Sequence, residues 1–322
     1  DMSFMGKFLV QGRDAGAFLD TLSANAVNGQ SERITYTQWL NEDGRIEADL
    51  TVIKLEDDRV IVVTSDVAHR HTETWMRRHI AADQHVFVTD VTSGYGQLNV
   101  QGPSSRDLLQ SITSADLSNE AFPFRTAREI DIGLARVLCV RITYAGELGY
   151  ELNIPSEQAV HVYDRVVEAG AKFGLRHAGL KALASLRLEK GYRDWGHDID
   201  NMDDPYSVGL GFAVRIDKAV DFIGKPACIE RKAKATFNDR LVHLKLEDPE
   251  PLLIHSEIVL RDGHPVGEIR AGSFGYTLGA SVGLAMVHGD NVDSAWLESG
   301  EWSVDIAGRI YPAGVSLRPF YD

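Results

Sequence analysis

After Asn238-Asp239 the chain changes character, and short strand-like runs alternate with turns. Short apolar runs at 242–246, 257–260, 266–270, 282–287, 303–306 and 315–317 are separated by turn signals such as Arg261-Asp262-Gly263. Runs of that length and spacing read as strands of a small all-β barrel or sandwich. Before Asn238, strand-like alternation is interleaved with amphipathic helical patterns. The chain therefore reads as α+β followed by all-β, divided into 1–236 and 237–322. Its 322 residues are enough for two such domains.

The first part is predicted to begin with a helix over 14–26, with Phe18, Leu19 and Leu22 on its apolar side. An antiparallel meander follows at 34–40, 46–54 and 60–64, turning at 41–44 and 57–58. A helix at 66–82, strands at 86–89 and 96–100, and a helix opened by Gly102-Pro103 come next. Strands at 134–143 and 150–154 precede a long helix over 156–173, with Val160, Tyr163 and Val167 at helical spacing and Val166 beside them. A helix at 180–190, an Asp-rich loop to Tyr206 and a helix begun by Pro226 complete it.

Within the meander, the stretch from Arg45 to Val52 alternates cleanly. Ile46, Ala48, Leu50 and Val52 point one way; Arg45, Glu47, Asp49 and Thr51 point the other. Asp is disfavoured inside strands, so Asp49 is either a solvated residue on a wet face or a functional carboxylate. Tyr36, on the preceding strand, is expected beside it or packed in the rim.

Two further constellations bear on chemistry. In Tyr144-Ala145-Gly146-Glu147-Leu148-Gly149-Tyr150-Glu151, an extended backbone puts Glu147, Gly149 and Glu151 on one face. Carboxylates beside a bare backbone patch match paired N–H donors on a flat ligand; solvated glutamates on a hairpin rim are the alternative. After the helix that ends at Gly191, a loop carries Tyr192, Trp195 and His197. Loop aromatics can stack on a heteroaromatic ring or simply pack, and Arg187 with Glu189 can be a structural ion pair.

Several function classes drop out. A net charge of −14 argues against nucleic acid and requires local Arg or Lys for any anionic ligand. Cys139 and Cys228 form no CxxC, which points away from zinc and dithiol chemistry and toward a reducing compartment, cytoplasmic or mitochondrial. Gly209-Leu210-Gly211 lacks the third glycine of a dinucleotide loop, His69 and His71 do not share a helix face, and the Asp198–Asp204 region lacks the glycine and glutamate of a calcium loop. No metal, flavin or nicotinamide site is expected in this chain. No apolar run reaches the length of a membrane span. The start, Asp1-Met2-Ser3-Phe4-Met5, reads as the inside of a longer polypeptide rather than a leader.

The pieces LNEDGRIEADLTV, LNVQGPSS, YAGELGYEL, SLRLEKGYRDWGHDID, GLGFAVRIDKAVDFIGKPA and SFGYTLGASVGLAMV, in this order, resemble the aminomethyltransferase (T-protein) family of folate-binding proteins. The likeness spans nearly the whole chain and is nearest the C-terminal folate domain of dimethylglycine and sarcosine dehydrogenases and related oxidases. It implies an antiparallel α+β folate-binding fold with a C-terminal β-barrel, and tetrahydrofolate held centrally. Asp49 matches the catalytic aspartate, and Glu151 the carboxylate that reads the pterin edge, with Glu147 a second candidate. Tyr36, Tyr192 and Trp195 match or neighbour aromatic positions around the pterin. Arg193, Arg270 and Arg309 are candidates for local positive charge toward the folate tail. Two departures set the chain apart from glycine-cleavage members: Leu183 stands for an arginine, and Ser207 for a glutamate. The family's iron–sulfur branch carries Lys-Gly-Cys-Tyr, where this chain has Lys190-Gly191-Tyr192.

The resemblance implies one-carbon transfer. FAD in an upstream domain would oxidise an N-methyl amine, and tetrahydrofolate would capture the resulting iminium or formaldehyde as 5,10-methylenetetrahydrofolate. The alternatives are a folate-dependent demethylase acting without a flavin partner and a folate-binding module without chemistry.

Overall fold

Residues 1–234 and 236–321 are described by a computed structural model, in which the chain divides into two units. The first takes Asp1–Leu40, Ala48–Gly179 and Asp217–Ile223; the second takes Asn41–Glu47, Leu180–Ile216 and Gly224–Asp322.

In the first unit the elements are, in chain order, β1 (Gly6–Gln11), α1 (Ala15–Leu22), β2 (Arg33–Leu40), β3 (Ile46–Glu56), β4 (Arg59–Thr64), α2 (His69–His79) and β5 (Phe87–Asp90). Then come β6 (Tyr95–Gln101), α3 (Ser105–Gln110), β7 (Ala127–Ile132), β8 (Ala135–Val140), β9 (Gly149–Pro155) and α4 (Ala159–Gly170). One sheet has the order β2-β3-β4-β1-β5, the other β6-β9-β8-β7.

Alternation along the strands decides how these sheets pack. From the five-stranded sheet, Phe8, Val10, Trp39, Val52 and Val62 turn toward α1 and α2 and join one core with Phe18, Leu19, Leu22 and Trp75. Phe18, Leu19 and Leu22 are at most 1% exposed. Each such burial contributes about 2 kcal/mol relative to leaving the side chain in water. The opposite face, through Leu9, Ile34, Ile53, Ile61 and Val63, meets Ala127, Leu138 and Val140 of the four-stranded sheet. That sheet's other face, including Val137, Tyr150 and Leu152, packs on Leu108, Leu109, Val162 and Val166 of α3 and α4. The unit is thus four layers deep: helices, sheet, sheet, helices.

Two sequence expectations change here. The long helix over 156–173 is a 3₁₀ turn at Ser156–Gln158, then α4, then a second 3₁₀ turn at Ala171–Phe173 that ends on left-handed Gly174. Its buried side is Val162, Val166 and Gly170; Val160 and Tyr163 are exposed. Helical spacing alone admits either stripe, and contact with the sheet selects the one through Val162. Strand β7, absent from the sequence reading, pairs with β8 along its whole length.

The second unit contains α5 (Leu180–Glu189), α6 (Lys225–Lys234), β10 (Asp239–Leu246), β11 (Ile258–Arg261), β12 (His264–Gly275), β13 (Ala280–His288), α7 (Ser294–Glu298), β14 (Trp302–Ile306) and β15 (Arg309–Ser316). The strands close into a barrel in the order β10-β13-β12-β11-β14-β15, because β10 pairs with both β13 and β15. Closure removes exposed strand edges, and Val242, Leu244, Ile269, Ala285 and Val304 fill the interior.

The alternative of an ion pair between Arg187 and Glu189 is replaced by two separate anchors, since residues two apart on a helix face different sides. Arg187 Nη1 lies 2.9 Å from Asp198 Oδ2, both buried. Glu189 accepts bonds from the Thr277 and Leu278 backbone N–H groups and the Thr277 hydroxyl. Just past α5, Gly191 adopts φ +64°, and a Cβ there would lie 1.8 Å from Cε1 of His243. The bare backbone lets the chain close over the imidazole.

His243 is 3% exposed. Burial, with Arg193 adding to it, pushes its pKa down to about 3. The unfolded chain therefore takes up a proton that the native state refuses. Stability from this group is fully present above pH 6.5 and is lost as pH falls toward 3. His243→Leu removes this acid-sensitive part. Urea midpoints of the two proteins across that range should converge on acidification, by up to about 4 kcal/mol at the wild type's expense.

Candidate functional site

The space between the two sheets of the first unit is apolar in one part and polar in another. On the five-stranded sheet, Leu9, Ile61 and Ile53 form one row in register, and Lys7, Val63 and Thr51 the next. Asp49 follows Thr51 on the same face of β3, and Gln38 and Tyr36 share the face of Ile34 on β2. On the four-stranded sheet, Glu151 stands opposite Val140 on one side and Asn99 on the other, with Gln97 opposite Asn153. Tyr36, Asp49 and Glu151 therefore project into the same layer from three strands.

Asp49 is partly buried, at the start of an alternation that matches the sequence reading: Ile46, Ala48, Leu50 and Val52 are buried, with Glu47, Asp49 and Thr51 more open. Gln38 Nε2 donates to Asp49 Oδ1 at 2.8 Å. Gln38 is fully buried, so that donor is rigidly held. The turn before β3 is stitched by Asn41, whose side chain accepts from the Arg45 N–H at 3.0 Å, and by Gly44 at φ +70°.

Glu151 accepts from two amides, Gln97 Nε2 at 3.2 Å and Asn99 Nδ2 at 3.4 Å. Lys7 reaches toward it electrostatically from the facing sheet. The Lys7 ammonium also donates to the carbonyls of Met5 at 2.8 Å and Ser3 at 3.3 Å. Desolvation dominates at both charges. It pushes Glu151 up to about 7 against the opposing pull of Asn99 and Lys7. It pushes Lys7 down to about 8 against the pull of Glu151. A cavity of about 10 Å³ beside Lys7, lined also by Ile61, Val91, Tyr95 and Asn153, has room for a single water.

Four buried amide atoms in this layer have no hydrogen-bond partner among the described residues: Gln38 Oε1, Gln97 Oε1 and both side-chain amide atoms of Gln101. Gln101 lies directly over Gly149, where a Cβ would come within 1.8 Å of its Oε1. The glycine expected to admit a ligand to the backbone thus admits the Gln101 amide. Glu147 does not share a strand face with Glu151. Residues 144–148 form bends, Gly146 is left-handed, and β9 starts only at Gly149.

The remaining sequence candidates belong to the second unit. Tyr192 is partly buried, its N–H bonded to the Arg187 carbonyl at 2.8 Å and its own carbonyl accepting from Arg187 Nη1 at 2.9 Å; burial raises its phenol. Trp195 bridges to Ile199, and its buried indole N–H has no partner among the described residues. Arg270 spends its guanidinium on Asp203 at 2.7 Å and on the Asp198 carbonyl at 3.2 Å. Arg193 donates to the carbonyls of Val208 and Gly191. Arg309 is exposed at the tip of the β14–β15 hairpin.

Sequence reasoning passed over Lys7, Gln38, Gln97, Asn99 and Gln101. A signal was present: Lys7 interrupts the apolar run Phe8-Leu9-Val10, and Gln97, Asn99 and Gln101 alternate along one strand. Among the described residues there is no group of three or more His, Cys, Asp or Glu that could hold a metal, and no helix long and apolar enough to cross a membrane.

The structure superposes on the glycine cleavage system aminomethyltransferase T from Bartonella henselae with a TM-score of 0.86, covering 99% of this chain and 85% of that one at 24% identity. Residues 1–218 match the GCVT N-terminal domain and residues 240–322 the glycine cleavage T-protein C-terminal barrel domain, so the chain belongs to the glycine cleavage T-protein family. An aminomethyltransferase from Clostridium botulinum is 33% identical over 288 residues, covering 89% of this chain and 77% of that protein. The 4-methylaminobutanoate oxidase (formaldehyde-forming) of Paenarthrobacter nicotinovorans is 41% identical across 100% of this chain, and human mitochondrial sarcosine dehydrogenase 34% identical across 100%. The chain spans only 38% and 37% of the length of those two relatives.

Because the native state holds the Glu151 proton more tightly than the unfolded chain does, the stability from this group is full below pH 4.5 and lost as pH rises through 7. Glu151→Gln should abolish that slope. Measured by urea unfolding from mild acid to neutrality, the difference between the proteins should change by about 1–3 kcal/mol. The depressed Lys7 pKa acts in a separate alkaline window, between 8 and 10.5.

Proposed function

We propose that this chain transfers a one-carbon unit to tetrahydrofolate, as the folate domain of a larger N-methyl amine dehydrogenase or oxidase. The carrying observation is that Asp49 and Glu151 face one layer between two sheets, the first oriented by Gln38 and the second by Gln97 and Asn99. The unpartnered amide atoms of Gln97 and Gln101 test the fit. They call for a ligand edge bearing both donors and acceptors, which a reduced pterin presents, so the residues suit the group.

When bound, tetrahydrofolate supplies the nucleophilic nitrogens that accept the one-carbon unit. Glu151, ionised, accepts paired N–H donors from the pterin edge. Tyr36 offers an aromatic wall on the same face as Gln38. Asp49, with its carboxylate oriented by the Gln38 amide, removes or steers the proton at the reacting amine, which is general base work at hydrogen-bond range. Holding the reactants aligned supplies much of the rest, worth about 7–11 kcal/mol in favourable cases. Tyr192, Trp195, Arg270 and Arg309 are assigned to the ligand by resemblance, and Glu147 is the secondary carboxylate.

The relatives' names motivate the wider reading. Sarcosine dehydrogenase and 4-methylaminobutanoate oxidase act on N-methyl amines by name, and this chain covers well under half of each. We assign the FAD chemistry to an upstream domain, the folate role to 1–236 and the barrel to 237–322. The compartment is the cytoplasm, or the mitochondrial matrix if the chain is eukaryotic. A demethylase without a flavin partner is the second reading, favoured by the 33% identity to an aminomethyltransferase of which this chain covers 77%. An upstream dinucleotide-binding region in the full gene decides for the first.

Asp49→Ala should leave tetrahydrofolate affinity within about threefold of wild type, since it removes general base work and not the pterin-edge contacts. Formation of 5,10-methylenetetrahydrofolate from formaldehyde or an iminium donor should fall to background. Calorimetric titration and an absorbance assay on the same samples separate the two effects. Equal loss of binding and turnover refutes the base assignment. Binding without turnover in the wild type makes the domain a silent folate module.

A further inference from the structure

Two arginines of the first unit converge on one neutral oxygen. Arg106, on α3, donates through Nη2 to Asn119 Oδ1 at 2.7 Å. Arg141, just after β8, donates through Nη2 to the same atom at 2.6 Å. The two guanidinium groups therefore lie side by side. Arg106 Nε also donates to the Tyr150 hydroxyl at 3.2 Å, and Arg141 Nη1 donates to the Phe122 carbonyl. All three acceptors are uncharged. Among the described residues neither arginine forms an ion pair with Asp or Glu, although Asp107 and Glu120 adjoin Arg106 and Asn119 in sequence.

That arrangement is unfavourable as it stands. Arg141 is 8% exposed, and its buried Nε has no partner among the described residues. Taking a guanidinium out of water without a counter-charge is expensive, and a second one beside it adds repulsion. Burial pulls the Arg141 pKa down; Tyr150 opposes the shift and Arg106 adds to it. The chain has 47 acidic residues against 33 Lys and Arg, so carboxylates were not scarce. Elsewhere it uses them: Asp198 closes Arg187 and Asp203 closes Arg270.

We propose that Arg106 and Arg141 form a phosphate-binding site, in which a phosphate group, inorganic or as a monoester, takes the place of the Asn119 side chain between the two guanidinium groups. Two adjacent positive charges call for a dianion, and a phosphate monoester carries about −1.5 to −2 at pH 7. The two forks reach one point from different elements, which suits a tetrahedral group with several oxygens better than a single planar carboxylate. Of the three acceptors, Asn119 is the one on an exposed side chain that can swing aside; Leu117 and Phe122, to either side of it in the loop, are buried. Leu117, Phe122 and Tyr150 belong to the core on the helix side of the four-stranded sheet. Glu151 projects from the other side of that sheet, beside Val140. The phosphate site is thus separate from the folate layer and does not rest on the folate reading.

Titration of the whole chain at constant ionic strength tests this. Inorganic phosphate, exchanged against chloride, should bind saturably and one to one by calorimetry, and should raise the thermal midpoint as mass action requires. Arg106→Gln should weaken phosphate by about tenfold or more, because it removes a charge-assisted donor. Asn119→Asp is isosteric and puts a carboxylate against both guanidinium groups. It should raise the midpoint in chloride and abolish the response to phosphate, a pattern that misfolding cannot imitate, so the test survives if Arg106→Gln does not fold. Phenyl phosphate run beside inorganic phosphate distinguishes the two sources: tighter binding of the ester marks a pendant phosphate, and equal or weaker binding marks inorganic phosphate. No saturable phosphate binding overturns the site. Binding that both substitutions leave unchanged, an adventitious ion only, overturns it too, as does an Asn119→Asp midpoint that fails to rise.

Discussion

Placing ionisable groups between two β-sheets is the constraint around which the first unit is built. An interlayer of Ile, Leu and Val alone would pack at no electrostatic cost. Here it does so only around Ile53, Ile61, Leu138 and Val140. Toward β6 and β9, and toward the start of β3, the same layer holds Lys7, Gln38, Asp49, Asn99 and Glu151. Desolvating a carboxylate and an ammonium is expensive, and at both Glu151 and Lys7 burial outweighs their mutual attraction and favours the neutral form. A fold that keeps such a layer retains poorly satisfied polarity in a place it could have filled with methyl groups. Unsatisfied buried polarity of this kind is where a polar ligand binds with most gain, because it completes bonds the protein cannot complete itself.

The second unit treats its charges differently. Arg187 is closed by Asp198, Arg270 by Asp203, and Glu189 by the 277–278 backbone. Each charge has its partner in the unit, so these residues stiffen the connection between α5, its following loop and the barrel. His243, buried and neutral against Gly191, does the same by shape. In a chain of net charge −14 carboxylates are at hand to hold guanidinium groups, and Arg270 is one held in this way.

The legible part of the fold was the part governed by period. The alternation from Ile46 to Val52, the buried side of α1 and five of the six barrel strands follow from side-chain spacing and turn residues; the sixth, β15, starts at Arg309, ahead of the apolar run expected at 315–317. Strand β7 escaped because Arg128, Glu129 and Asp131 dilute its apolar signal, and its partner β8 supplies the context that makes it a strand. The stripe on α4 was misjudged because Val160 and Tyr163 are as apolar as Val162 and Val166, and only packing against the sheet distinguishes them. Asp49 and Glu151 could be singled out as carboxylates in strands. Their immediate partners could not, since Gln38, Gln97 and Asn99 are ordinary polar residues until sheet register brings them beside a carboxylate.

On the proposed reading, Asp49 is what would separate a catalytic domain from a passive binding module. A module that only captures a pterin needs an acceptor such as Glu151 and an aromatic wall, and gains nothing from a second carboxylate. Holding Asp49 by the amide of a fully buried glutamine, which leaves Gln38 Oε1 without a partner among the described residues, is a cost that binding alone does not justify. Orientation of that kind matters when a proton must move along a defined line. On the proposed reading, a rigid base and an edge-reading carboxylate facing one layer fix both ends of a flat ligand, and rigid alignment of that kind accelerates transfer.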